Sequence, residues 1–256
     1  MRFSKLKKTL ASNVNETLEA PVLRFDSIDS TNNHAIRLID ADTAQAGLTL
    51  VTQEQTAGKG QRGNTWKDLP GQSLLMSIIL YPEVAADAQF SFNAAVAVSI
   101  AEVLVELDLD AAIKWPNDII VNAKKAGGLL VENAFRGSTW SHAVVGFGLN
   151  VLQESFPGLP QAISLRMATG KDFEVEDLLQ RLRKQIILNT SGTELAPFID
   201  RYNKLLFRRG QQQTFTDGSR SWTVTLLGMN SDGQLVVRHA DGSTEAYTHG
   251  LQTWVW

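Results

Sequence analysis

The sequence predicts a chain of mixed α/β class that ends in a small all-β module. Three observations point there. β-prone runs alternate with stretches of helical spacing as far as residue 206. The run SLLMSIIL at 73–80 has the unbroken apolar character of a buried strand. Beyond residue 207, three Asp-Gly pairs separate short β-prone runs, the strongest short-range hairpin signal.

Residues 1–10, MRFSKLKKTL, are basic but no apolar segment follows, so a secretory signal is not expected. Residues 1–21 are expected to form a flexible tail. Residues 22–25 read as a strand, and Asp29-Ser30-Thr31-Asn32 is dense in helix N-cap types ahead of Ala35, Ile36, Leu38 and Ile39 at helical spacing. Residues 47–52 read as a strand leading into a glycine-rich loop, 53–71, and then into the 73–80 strand. Phe92, Val96, Ile100, Val103 and Leu107 predict an amphipathic helix over 91–108. Residues 113–121 and 128–133 read as strands joined by a tight turn at 122–124, and 139–149 as a further strand. Two helices follow, one carrying Val175, Leu178, Leu182 and Ile186, the other Phe198, Ile199, Tyr202 and Leu205. In the last fifty residues the β-prone runs are 221–227, 235–238 and 245–248. So small a unit buries too little surface alone and should lean on the rest. The expected organisation is a tail (1–21), a main domain (22–206) and a small β-domain (207–256).

The 256 residues carry a net charge of −3, which argues against a partner held chiefly through phosphate neutralisation. The chain has no cysteine, so disulfides, thiolate metal sites and thiolate nucleophiles are excluded. No apolar stretch reaches the roughly 18 uninterrupted residues of a membrane span, and a cytoplasmic protein is expected. The four histidines are scattered without metal spacing.

Four segments carry chemistry. Gly58-Lys59-Gly60-Gln61-Arg62-Gly63-Asn64-Thr65-Trp66 satisfies the spacing of a dinucleotide fingerprint, but Pro70 and Gly71 leave no room for the helix that site needs. It is one residue from a phosphate-binding P-loop, with Asn64 in place of the essential lysine. What survives is a loop whose glycines let backbone N–H groups approach an anion while Lys59 and Arg62 add charge, or simply a surface loop. Lys114-Trp115-Pro116-Asn117-Asp118 offers a lysine for phosphate and a carboxylate for Mg²⁺, or a strand-end turn with a buried Trp and a surface ion pair. Lys124 and Lys125 precede Gly127 and Gly128; alternation along a strand turns only one lysine inward. Gly146-Phe147-Gly148-Leu149-Asn150 ends a strand with small residues that could admit a ligand against the backbone.

Taken in order, Asp29–Asn32, Gln55–Trp66, Lys114–Asp118, Lys125–Glu132 and Gly146–Asn150 closely resemble the biotin–protein ligases. The resemblance spans residues 22–152, and the β-rich tail is similar to the family's small SH3-like C-terminal domain. It implies the fold of the class II aminoacyl-tRNA synthetase and biotin synthetase superfamily: a mixed β-sheet flanked by helices, plus the small β-barrel. It also implies the reaction. Biotin and ATP form biotinyl-5′-AMP, and a lysine of a biotin carboxyl carrier domain then takes the acyl group. By the same resemblance Ser30, Thr31, Asn32, Gln55 and Gly128 contact biotin, and Lys59, Gly60 and Gln61 fold over biotin and the adenylate. Lys125 contacts the reacting carboxylate and phosphate. Arg62, Trp66, Asn117 and Asn150, with Lys59, lie near the nucleotide, and Asp118 lies near Mg²⁺. Two departures stand out: the family's arginine-rich loop here has Lys59, Gln61 and Asn64, and only 28 residues precede Asp29. The second leads us to expect a monofunctional ligase without a winged-helix DNA-binding domain. A nucleic-acid or membrane partner is not expected, and a homodimer is left open. The alternatives weighed are a lipoate–protein ligase of the same fold and a non-catalytic biotin-binding protein. A cysteine-dependent octanoyltransferase is excluded.

Overall fold

The computed structural model describes residues 14–255. Part of the expected tail, residues 1–13, lies outside them. Its remainder is structured. Val14–Glu19 forms helix α1, and Thr17 and Ala20 are buried. The cause is Arg183 on a later helix, whose guanidinium donates to the carbonyls of Thr17, Leu18 and Ala20.

Seven strands form the main sheet: β1 (Val22–Ile28), β2 (Thr49–Gln55), β3 (Ser73–Leu80), β4 (Ala111–Lys114), β5 (Asp118–Val121), β6 (Lys124–Arg136) and β7 (Thr139–Asn150), in the order β1-β2-β3-β7-β6-β5-β4. Only β1 and β2 run parallel, so the sheet is mixed, as expected. Helix α2 (Thr31–Asp40) lies on one face, over Leu48, Leu50, Ile79 and Val144. Helices α3 (Gln89–Glu106), α5 (Val175–Thr190) and α6 (Pro197–Lys204) close the other, with the short α4 (Leu165–Thr169) between them in the chain. All eight residues of β3 are buried because both faces are covered. Alternation sends Leu74, Met76, Ile78 and Leu80 toward α3, and Ile79 toward α2. Ser77, in phase with Ile79, meets the start of α2.

Two readings are corrected. The run 113–121 is not one strand: cis Trp115-Pro116 turns the chain, and β4 pairs antiparallel with β5. Proline has no N–H for a ladder and cannot extend it. The tight turn at Asn122-Ala123 does form, with positive φ at both residues, between β5 and β6. Helix α3 is not amphipathic but buried almost all round, because α5 and α6 cover the side turned from the sheet. Residues 86–106 are long and apolar enough to cross a bilayer, with a mean hydropathy of 1.5, yet here they form a core helix.

The second sheet is antiparallel: β8 (Gln212–Thr216), β9 (Ser221–Met229), β10 (Leu235–Arg238), β11 (Thr244–Tyr247) and β12 (Thr253–Val255), in the order β11-β10-β9-β8-β12. The three Asp-Gly pairs fall at its hairpin turns, each glycine with φ between 73° and 93°. Phe215 on β8 lies 5.3 Å from the Tyr247 ring on β11. Three strand spacings would hold them about 14 Å apart in a flat sheet, so the sheet curls around Phe215. It does lean on the main domain. Asn203 of α6 exchanges two hydrogen bonds with Met229, and the Trp115 indole donates to the Gly233 carbonyl.

Candidate active site

The turn between β4 and β5 builds the cationic end of the site. Asp118 stands between two ammonium groups, with Lys125 Nζ at 2.5 Å from Oδ1 and Lys114 Nζ at 3.5 Å from Oδ2. Lys114 is 9 % exposed. Burial pushes its ammonium pKa down, Asp118 opposes that shift, and Lys125 adds to it. Alternation on β6 turns Lys125 inward and leaves Lys124 exposed. The turn does hold a buried Trp and an ion pair, but the pair lies inside a cavity rather than on the surface. Asn117 clasps β6 through its own amide and carbonyl, both bonded to Leu129.

The polar end forms where α2 begins. The Ser30 hydroxyl caps the helix, accepting from Asn33 N–H. Gln55 Oε1 accepts from the Thr31 N–H at 2.8 Å. Asn32 reaches Leu130 and Glu132 on β6, and Ser77 lies within 2.7 Å of both Thr31 and Asn32. Outside, Arg37 grips Asp29 with two hydrogen bonds and holds its carboxyl well below the usual range. This fixes the angle at which α2 enters the site.

The glycine-rich loop roofs the space between these ends. It closes on itself, Trp66 N–H to Gly58 and Gly60 N–H to Asn64, and only a single 3-10 turn, Gln61–Gly63, follows the glycines. Without a helix it cannot be a dinucleotide fingerprint. The Trp66 indole packs onto Gly148, where an added Cβ would lie 2.8 Å from two ring carbons. The Arg62 guanidinium occupies the space of a Gly250 side chain, joining the loop to the C-terminal sheet. Trp66 Nε1 and Gln61 Oε1 are buried without a hydrogen-bond partner.

Together these parts enclose a cavity of about 550 Å³, in the range of small-molecule sites. Its wall includes Ser30, Thr31, Asn32, Gln55, Lys59, Gly60, Gln61, Arg62, Trp66, Asn117, Asp118, Lys125 and Gly128. Asn150 does not reach it. That residue is 6 % exposed, and its amide donates to the Ile163 carbonyl, tying down the strand that follows. The sequence reading missed His249, Gly250, Gln252, Thr253 and Trp254, which the C-terminal sheet brings to the wall. It also missed Ser77. Only the buried polar position within 73–80 could have signalled Ser77; nothing local signals the C-terminal residues. His249 meets Trp115 edge-on, and burial lowers its imidazole pKa, with Arg62 adding to the shift. Among the described residues no cluster of three or more acidic or histidine side chains could hold a metal ion. Asp118, bound by two lysines, does not fit a resident ligand for Mg²⁺.

A family model described as the biotin/lipoate A/B protein ligase family matches residues 24–150. The bifunctional ligase/repressor BirA of Bacillus spizizenii is 33 % identical over 173 residues, 65 % of this chain and 53 % of that protein. The biotin–[acetyl-CoA-carboxylase] ligase of Paracoccus denitrificans is 30 % identical over 227 residues, 84 % of this chain and 92 % of that protein. The chain thus spans about half the length of the bifunctional relatives but most of the second. Among solved structures, the biotin protein ligase from Aquifex aeolicus in complex with biotin and ATP superposes with a TM-score of 0.74. It is 24 % identical, with 91 % of this chain and 98 % of that chain covered. That likeness establishes the fold.

Proposed function

Because this chain belongs to the biotin/lipoate A/B protein ligase family, we propose that it is an ATP-dependent biotin–protein ligase. A biotin carboxylate oxygen attacks the α-phosphorus of ATP, the bond to the β-phosphate oxygen breaks, and pyrophosphate leaves. The ε-amine of a lysine on a biotin carboxyl carrier domain then attacks the acyl carbon of biotinyl-5′-AMP. AMP leaves, and the amine gives up a proton. The reaction belongs in the cytoplasm, and Mg²⁺ enters with ATP as part of that substrate.

One observation carries the reading. A single cavity holds paired lysines about one carboxylate at one end and a hydroxyl–amide pocket at the other, with a glycine strand between them. A carboxylate and a triphosphate repel one another, and Lys125, Lys59 and the loop amides supply fixed positive charge and donors where they must meet. The bicyclic ring of biotin is apolar apart from its urea, which suits the Thr31–Gln55 end. Trp66 would flank the nucleotide.

The test is biotin-dependent exchange of pyrophosphate into ATP. Wild type should catalyse it, and Lys125→Ala should slow it by about 10²–10³-fold, the usual cost of one electrostatic donor in such a site. Exchange driven by lipoate rather than biotin, or biotin binding without exchange, would overturn the proposal.

A further inference from the structure

Two residues off the wall of the main cavity control what the polar pocket can recognise. We infer that Ser77 and Glu132 fix its hydrogen-bond polarity, so that Thr31 Oγ1 can only accept a hydrogen bond from a ligand. The inference rests on the biotin reading and deepens it.

Proton accounting leads there. Asn32 Nδ2 lies 2.6 Å from Glu132 Oε2 and 3.2 Å from the Leu130 carbonyl oxygen. An ionised carboxylate and a carbonyl only accept, so the Asn32 amide has one permitted orientation, with Oδ1 toward Ser77. Ser77 Oγ is 2.6 Å from that Oδ1 and 2.7 Å from Thr31 Oγ1. Ser77 has one proton. Given to Asn32, it leaves the contact with Thr31 to be made by the Thr31 proton. Given instead to Thr31, it would leave two acceptor oxygens, Ser77 Oγ and Asn32 Oδ1, facing each other at 2.6 Å with no proton between them, which rules against that arrangement. In the favoured arrangement the Thr31 proton stays inside the protein and only lone pairs face the cavity. The negative charge on Glu132 favours the first, because the dipoles of Thr31, Ser77 and Asn32 then align in one chain toward it.

Gln55 completes the pattern. Its Oε1 is taken by Thr31, and its Nε2 makes no hydrogen bond among the described residues, so it is left to donate. An acceptor beside a donor matches the N–H and C=O of a cyclic urea. A dithiolane ring offers neither, so this polarity selects biotin over lipoate. The geometry depends on glycine at 146, where a Cβ would lie 2.2 Å from Asn32 Oδ1.

Equilibrium binding of biotin to the full chain, compared with its two analogues in which one ureido N–H is replaced by CH2, tests the inference. Wild type should bind one analogue about 10–100-fold more weakly than biotin, the cost of leaving a buried acceptor unpaired. Ser77→Ala should shrink that ratio to within about 3-fold by weakening biotin and not the analogue. Glu132→Gln, which keeps an acceptor but removes the charge, should fall between and decides the matter if Ser77→Ala does not fold. A general structural role would weaken all three ligands alike. A wild-type ratio retained in the folded variants refutes the inference alone; wild type that binds no biotin refutes the functional reading and the inference with it.

Discussion

Gly148→Ala adds one methyl group between a strand that cannot move and a ring that can. Its Cβ would stand 2.8 Å from Cε2 and Cζ2 of Trp66 and 3.2 Å from Cδ2. Carbon atoms rest at about 3.5–4.0 Å, so the overlap is about 0.7 Å or more. Gly148 is paired on both sides, to Leu75 on β3 and Gly128 on β6, and its backbone torsion is ordinary. The indole must therefore lift. Overpacking of this kind costs about 1–3 kcal/mol, equivalent to about 5–150-fold in an equilibrium constant. Trp66 belongs to the loop, so the cost should fall on ligand binding: KM for ATP in pyrophosphate exchange should rise by that factor while Tm shifts by a few degrees at most. Gly192→Ala is the control: a Cβ there meets nothing within 4 Å, and KM should change by less than about 3-fold. Wild-type KM in Gly148→Ala, or equal damage in Gly192→Ala, would refute the placement of Trp66 against the nucleotide.

Two further outcomes follow from buried charge. Arg183→Met keeps the packing but strands the carbonyls of Thr17, Leu18, Ala20 and Gly47, so urea unfolding should show a loss of about 3 kcal/mol; a loss below about 1 kcal/mol would contradict it. Burial, with Glu54 adding to it, raises the Asp68 carboxyl to about 6. The folded state therefore holds that proton more tightly than the unfolded one, and the associated stability is present at pH 4 and lost as pH rises through about 6. Allowing for solvent screening of a half-buried group, the change is about 1 kcal/mol. Subtracting the Asp68→Asn curve from wild type between pH 4 and 8 should leave a decline from about pH 4 that levels off above about pH 6, and a flat difference would remove the assignment.

The legible parts of the fold were those in which local pattern and burial agree. The 73–80 run, the inward Lys125 and the Asp-Gly hairpins needed no distant partner to be read. Misreadings arose where a distant element decided. Helix α3 carries polar residues that periodicity places on an outer face, but α5 and α6 cover that face, and Ser99 bonds to the Ala95 carbonyl and to Asn189 of α5. Helix α1 exists because Arg183 binds its end from 163 to 166 residues away. No local pattern announces that the turn after β11 will deliver His249 and Gly250 to a cavity whose floor lies a hundred residues earlier.

Net charge proved a poor guide to the site for a related reason. A chain at −3 gives no hint of a cationic pocket, but the pocket depends on arrangement rather than on totals. Lys114 and Lys125 share one carboxylate, which leaves one excess positive charge before Lys59 and Arg62 of the roof are added. Asp118 gives up part of that field, and the exchange is favourable. Without it, nothing would oppose burial and the neighbouring Lys125, which together push the Lys114 ammonium pKa down. An anionic substrate entering this site is therefore expected to compete with Asp118 for the same two lysines, which ties the pairing of the pocket to its readiness to bind.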